Sequence, residues 1–196
     1  MVCHWKSYPF KKGQVVLVDT NIWIKAFPKT SDPGTSNPYA NFIADLVRYD
    51  IDIALDVLVV SEFITTFIHI EHDKYNRKCQ KDNVANPYRK YKDFRSSELF
   101  YLAASDAVFA LKEILNCPKV KRIDHPFKNV DINRLLEKYQ KAEADLTDLL
   151  LMETCGINAF VMATLDTDYA MARVDVVTDN DKLLAMSVGN GSSDAC

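Results

Sequence analysis

The chain has 196 residues, 48% of them hydrophobic and 26% charged, a balance that suits one globular domain or one domain with a sizeable insertion and excludes wholesale disorder. A net charge of -3 excludes a protein that coats nucleic acid through overall basicity, but it leaves room for an acidic cleft with a basic rim. Five cysteines, odd in number and without a Cys-x-x-Cys pair, argue against a disulfide framework or a cysteine zinc site and favour a reducing compartment.

Met1–Lys12 carries four basic or histidine side chains and no apolar h-region, and no run approaches the length of a membrane span. A cytoplasmic location is therefore expected. Gln14–Asp19 is a β-branched apolar run that stops at an acid, and it reads as a buried parallel strand. Thr20–Ile24 should open a helix. Pro28–Pro38, rich in Pro, Gly and Ser, reads as a loop. Tyr39–Tyr49 has Phe42, Ile43, Leu46 and Val47 on one side and reads as a helix. Ile51–Leu55 is a second short strand, and Val57–Ile70 a helix bearing Ser61 and Glu62.

Glu71–Arg95 is polar and reads as loop and exposed helix. Helical periodicity returns over Ser97–Leu115, and Pro118 closes that unit. Asp131–Tyr139 is a further helix with Asp131 as its cap. Asp145–Cys155 is apolar and helical. Ala159–Ala163 and Val174–Val177 are two more short apolar runs, each followed by a threonine. Helices alternating with short buried strands predict an α/β three-layer sandwich around a mostly parallel sheet. The chain reads as a single domain over 1–196, with a helical insertion at about 71–141 and a flexible tail over 189–196.

Acids recur where strands or helices end or begin. Asp19 closes the first apolar strand, Glu62 lies near a helix start, and Asp148 opens the apolar helix with Asp145 on the same face three residues earlier. Thr164-Leu165-Asp166-Thr167-Asp168-Tyr169 follows a strand directly. Ligands of parallel α/β sheets gather outside the carboxyl ends of the strands, where all of these would lie. Carboxylates brought together repel unless protonated or bridged by a cation, and an all-oxygen set suits Mg²⁺ or Mn²⁺. Such an ion makes hydroxide from water and clamps the oxygens of a phosphodiester.

With Val18-Asp19-Thr20-Asn21, Val60-Ser61-Glu62, Asp148–Glu153 and Thr164-x-Asp166-x-Asp168-Tyr169, the chain resembles the PIN-domain ribonucleases, which include the VapC-type toxins of toxin–antitoxin pairs. The resemblance covers residues 14–70 and 142–185. It implies a metal-dependent endonuclease acting on RNA, with Asp19, Glu62, Asp148 and Asp166 as catalytic metal ligands and Asn21, Asp145, Thr164 and Asp168 in support. It also implies an antitoxin partner and a homodimer. A competing register places the fourth acid at Asp179 or Asp181, in Val177-Thr178-Asp179-Asn180-Asp181.

Other side chains admit plainer readings. His69 and His72, three apart on one helix, could bind a metal but lack a matched third ligand, so a surface role is expected. Lys74, Arg77, Lys78, Arg89, Lys90, Lys92 and Arg95, interleaved with tyrosines, could bind phosphates and stack bases, against a solvated face as the alternative. Lys119, Lys121 and Arg122 form a second, weaker basic patch. A non-catalytic PIN-like module that binds RNA or protein is the alternative to a nuclease, and the residues do not separate RNA from DNA as substrate.

Overall fold

Strands in this chain are short, and the four built from the apolar runs are buried on both faces. The computed structural model describes residues 1–27 and 36–189; most of the expected Pro28–Pro38 loop and nearly all of the expected tail lie outside them. Two compact units result. The first comprises Met1–Val59 and Pro118–Cys196, and the second Val60–Cys117.

The first unit holds a sheet of strands β1 (Val2–His4), β2 (Val15–Val18), β3 (Asp52–Leu55), β4 (Val120–Arg122), β5 (Val161–Ala163) and β6 (Val176–Thr178). All neighbours pair in parallel, in the order β1-β6-β5-β2-β3-β4. Val16, Leu17, Val18, Ile53, Ala54, Met162, Ala163, Val176 and Val177 are fully buried in it, as continuous apolar strands covered on both faces should be. Gly13, at φ 86°, takes the left-handed turn that feeds β2.

Helices α1 (Thr20–Ala26) and α2 (Pro38–Arg48) follow β2, and α3 (Val57–Lys81) follows β3. Asn37 caps α2 by accepting from the Tyr39 and Ala40 amides, with Pro38 at the first helical position. Helices α4 (Tyr91–Arg95) and α5 (Glu98–Asn116) belong to the second unit, α6 (Ile132–Gln140), α7 (Leu146–Asn158) and α8 (Asp181–Gly189) to the first. Asp131 caps α6 through the Arg134 amide, as expected. Leu135 of α6, Ala144 and Leu149 of α7 form a small core with Val130, Leu150 and Met152 around it.

Several expectations are corrected. The polar stretch after residue 70 does not break the helix: α3 runs on to Lys81, because its outward face is polar while Phe67, Ile68, His72 and Cys79 stay buried. Strands β1 and β4 were not anticipated; both are three-residue edges with polar members. The apolar helix opens at Leu146, with Asp145 in the N-cap position, so Asp148 lies in its first turn. The helical unit spans Val60–Cys117, whereas residues 118–141 return to the sheet unit through β4 and α6.

Within the second unit the core is aromatic. Phe63, Phe67 and Phe94 are buried with Ala103, Ala107, Ala110 and Ile114 of α5. His72 is buried, not superficial as expected: its Nε2 sits 2.7 Å from the Tyr88 carbonyl oxygen, and its ring stacks on Phe94. His69 is exposed and stacks on Tyr91 at 4.3 Å. Both histidines have packing partners that account for them without a metal.

Cys79, Cys117 and Cys155 are free thiols.

Candidate active site

Every strand ends at the same edge, and polar residues follow four of the strand ends in turn. Thr164 follows β5, Asp19 follows β2, and Asp56 follows β3, while Thr178 closes β6. All four are buried. The apolar runs stop here because the chain must turn into a helix, and a side-chain acceptor at that point satisfies helix amides that have no carbonyl partner.

Asp19 is only 4% exposed. As the N-cap of α1, its Oδ1 accepts from the Thr20 amide at 2.7 Å. Its Oδ2 accepts from the Thr164 hydroxyl at 2.6 Å and from Asn21 Nδ2 at 2.7 Å. Capping and a functional role are therefore not alternatives here: one oxygen caps and the other enters a second network. Asn21 Nδ2 also reaches Thr164 Oγ1 at 3.1 Å, and its Oδ1 accepts from the Leu165 amide. Thr164 Oγ1 in turn accepts from the Asp166 amide at 3.0 Å. This one hydroxyl ties the loop that carries Asp166 to the carboxylate of Asp19.

Tyr169 makes the second tie. Its ring is fully buried, and its hydroxyl donates to Asp148 Oδ1 at 3.1 Å. Burial first, then the charges of Asp19 and Asp148, hold this phenol far above the ordinary tyrosine range. Asp166 caps a short 3-10 turn, Thr167–Met171, by accepting from the Asp168 amide. Partial burial, then the neighbouring Asp166 and Asp145, raise the Asp168 carboxyl above its usual value. The charges of Asp166 and Asp145 thus disfavour that of Asp168.

The alternative acids are placed differently. Asp179 pairs with His4, whose Nε2 lies 2.8 Å from Oδ1. His4 Nδ1 accepts from the Lys6 amide, so in this geometry the proton sits on Nε2 and points to Asp179. Asp181 is exposed at the start of α8. Asn180, between them, donates to the Leu165 carbonyl at 2.5 Å and so braces the Asp166 loop. Glu62 is exposed on α3, in the second unit. The basic residues Lys74, Arg77, Lys78, Arg89, Lys90, Lys92 and Arg95 are all exposed in that unit, Lys74 paired with Glu71. In the other patch, Lys119 bonds Asp50, and Lys121 lies 2.6 Å from Asp52.

Asp56 was not anticipated. It is fully buried, accepts from the Leu58 amide at 2.8 Å, and pairs with His125 Nδ1 at 2.8 Å. Thr154 of α7 lies 3.3 Å from the same nitrogen. The signal was present, since Ile-Ala-Leu-Asp56 repeats the strand-then-acid pattern of Val-Leu-Val-Asp19. Burial, then the charges of Asp19 and Asp56, push the Cys155 thiol up.

No family model matches the sequence, and no curated protein matches it. Among solved structures the chain is similar to VapBC2 from Rickettsia felis bound to a promoter DNA fragment, with TM-score 0.51 and 16% identity over 84% of this chain and 98% of that one. The chain has a PIN-like fold. FitAB bound to an IR36 DNA fragment is similar at TM-score 0.45 and 13% identity, over 83% of this chain and 94% of that one. FitAcB from Neisseria gonorrhoeae is similar at TM-score 0.42 and 16% identity, over 83% and 96%. In this PIN-like chain the Thr164 hydroxyl links the Asp19 carboxylate to the Asp166 amide, and Asp148 accepts from Tyr169. No helix among the described residues is long and apolar enough to cross a membrane.

Proposed function

We propose that the chain is a metal-dependent endoribonuclease, the toxin of a toxin–antitoxin pair, whose active site is the carboxyl edge around Asp19. The observation that carries this reading is the Thr164 hydroxyl, which donates to the Asp19 carboxylate and accepts from the Asp166 amide. A merely structural cap needs one amide donor, and it does not need a second carboxylate oxygen tied to the loop that bears another acid.

The donor chemistry fits Mg²⁺ or Mn²⁺ in kind, because it consists of carboxylate oxygens alone. Among the described residues, however, no three His, Cys, Asp or Glu side chains are gathered tightly enough to hold one ion. Asp19, Asp148 and Asp166 are the donors that would have to draw together around such an ion. When bound, it supplies Lewis-acid activation of water and charge neutralisation at the phosphodiester. The protein's own share is orientation. Thr164 and Asn21 fix the Asp19 carboxylate, Tyr169 fixes that of Asp148, and Asn180 braces the loop beneath Asp166.

An antitoxin partner rests on the resemblance to toxin–antitoxin proteins. The dispersal of the acids favours a second reading, a PIN-like module that binds RNA without cutting it. Purified protein should degrade a generic RNA with Mg²⁺ or Mn²⁺ and lose that activity in EDTA. Intact RNA under all these conditions would favour the binding module. Running single-stranded DNA beside the RNA at the same salt decides the nucleic acid.

A further inference from the structure

The β3–β4 end of the same edge holds an arrangement that cutting alone does not use. Leu17 is level with Ala54, and Leu55 with Arg122. Continued past the strand ends, by two residues in the first pair and one in the second, those registers set Asp56 beside Asp19 and Ile123, at the start of the His125 loop, one strand further on. At about 4.8 Å per strand, that loop begins roughly 10 Å from the Asp19 strand. This is within reach of a nucleotide next to one held at Asp19.

Asp56 and Thr154 fix the His125 ring from one side. The Phe127 ring lies nearly parallel to it, at 27° with centroids 6.4 Å apart. Phe127 itself is 56% exposed. It opens a 3-10 turn, Phe127–Asn129, closed by the Asn129 amide on Pro126 and the Val130 amide on Phe127. Val130 packs against the Leu135, Ala144 and Leu149 core, which anchors the turn. Single exposed apolar residues are ordinary. A solvent-facing phenylalanine seated on a histidine that a buried carboxylate orients is not, least of all beside the ligand-gathering edge. Arg122 and Lys128, both exposed, flank it. Aromatic faces bind unpaired bases of any identity, and nearby cations follow the backbone.

We infer that Phe127, seated on the Asp56–His125–Thr154 set, is the stacking platform for an unpaired base of single-stranded RNA next to the phosphodiester held at Asp19. This rests on the nuclease reading for its location but not for its measurement. His125 is a positioning residue: it sets the ring and does not touch the RNA.

The test is binding of a fluorescein-labelled single-stranded oligoribonucleotide, followed by anisotropy in EDTA, where no cutting occurs. Phe127→Ala should weaken binding about tenfold, Phe127→Leu nearly as much, and Phe127→Trp little or not at all. Phe127→Leu keeps apolar volume without a π face, so its loss reports stacking and not packing. An oligonucleotide with one abasic position, moved along the strand, should at one register bind wild type and Phe127→Ala equally. His125→Ala should give a smaller loss that an abasic nucleotide at that register also erases. Unchanged affinity in Phe127→Ala, or a loss that every abasic register preserves, would overturn the platform. If wild type binds RNA in a Phe127-dependent way yet never cuts it with metal, the nuclease reading fails and the platform stands. If it cuts and Phe127→Ala leaves KM unchanged, the reverse holds.

Discussion

Asp19 and Asp56 are two buried acids at the ends of neighbouring strands, yet their surroundings differ in kind. Asp19 accepts from an amide, a hydroxyl and a carboxamide, and through these it is linked to the region of two more acids. Asp56 accepts from one amide and pairs with an imidazole that can carry charge. Burial of both is offset by local donors, a hydroxyl and a carboxamide beside Asp19 and an imidazole beside Asp56. The difference teaches what each acid is tied to. The donors of Asp19 lead to the loop bearing Asp166, whereas the histidine of Asp56 leads to α7 through Thr154.

The sharpest way to break that contrast is Asp19→Asn. The amide retains the shape and one acceptor oxygen for capping. Cleavage of RNA should fall by at least about a hundredfold, since the charge that would bind a metal is gone. The circular dichroism spectrum should remain that of wild type. Full activity in this variant would remove Asp19 from the chemistry.

Asp56→Ala should instead act on stability. Removing one partner of a buried pair leaves His125 without its acceptor, at a cost of about 3 kcal/mol. Urea unfolding should show a lower midpoint with an unchanged m-value. A midpoint equal to wild type would mean that Asp56 is not the clamp described. Asp19 and Asp56 would then no longer divide into functional and supporting acids.

Half of this contrast was legible in the sequence. The strands β2, β3, β5 and β6 are visible because burial on both faces forces unbroken apolar runs, and the acids that end them stand out by position. Asp19 is read that way, Thr164 and Asp166 from the segment that follows a strand, and Asp148 from its place at a helix start; the family resemblance orders them. Strands β1 and β4 are not visible, because an edge strand is paired on one side only and tolerates Lys121 and Arg122. With β4 unseen, His125 had no address. Nothing local relates it to Asp56, 69 positions earlier; only the parallel crossover brings them level. Helix α3 was cut short for a related reason. Its polar outer face after residue 70 resembles a loop in composition, while the buried partners of His72 and Cys79 come from elsewhere in the fold.

Tyr169 offers a smaller effect on the functional side of the contrast. Tyr169→Phe removes the hydroxyl that donates to Asp148, for about 1.5 kcal/mol of stability near neutral pH. The pH dependence gives a second reading. Because the folded phenol titrates far above its unfolded value, its contribution is complete below the ordinary tyrosine range. That contribution is lost as pH rises beyond it. Thermal unfolding of wild type should show this alkaline loss, and the phenylalanine variant should show less of it. Equal alkaline curves would mean that Tyr169 is not the buried donor between Asp19 and Asp148.

The least effect, and the one with the opposite sign, belongs to Asp168. Its carboxyl is raised by partial burial and by Asp166 and Asp145, so the ionised form is disfavoured in the folded chain. Protonated in both states in strong acid, it costs nothing there. As pH climbs through the folded value the side chain must ionise against its neighbours, and stability falls. Asp168→Asn should therefore raise the melting temperature slightly near neutral pH, with the gain vanishing below the carboxylate range. The side chain is exposed, so solvent screens the repulsion and the gain stays small. Added salt should shrink it further. A gain that persists in acid would come from packing and not from charge, and the crowding of acids that distinguishes this end of the edge from the Asp56 end would lose its support.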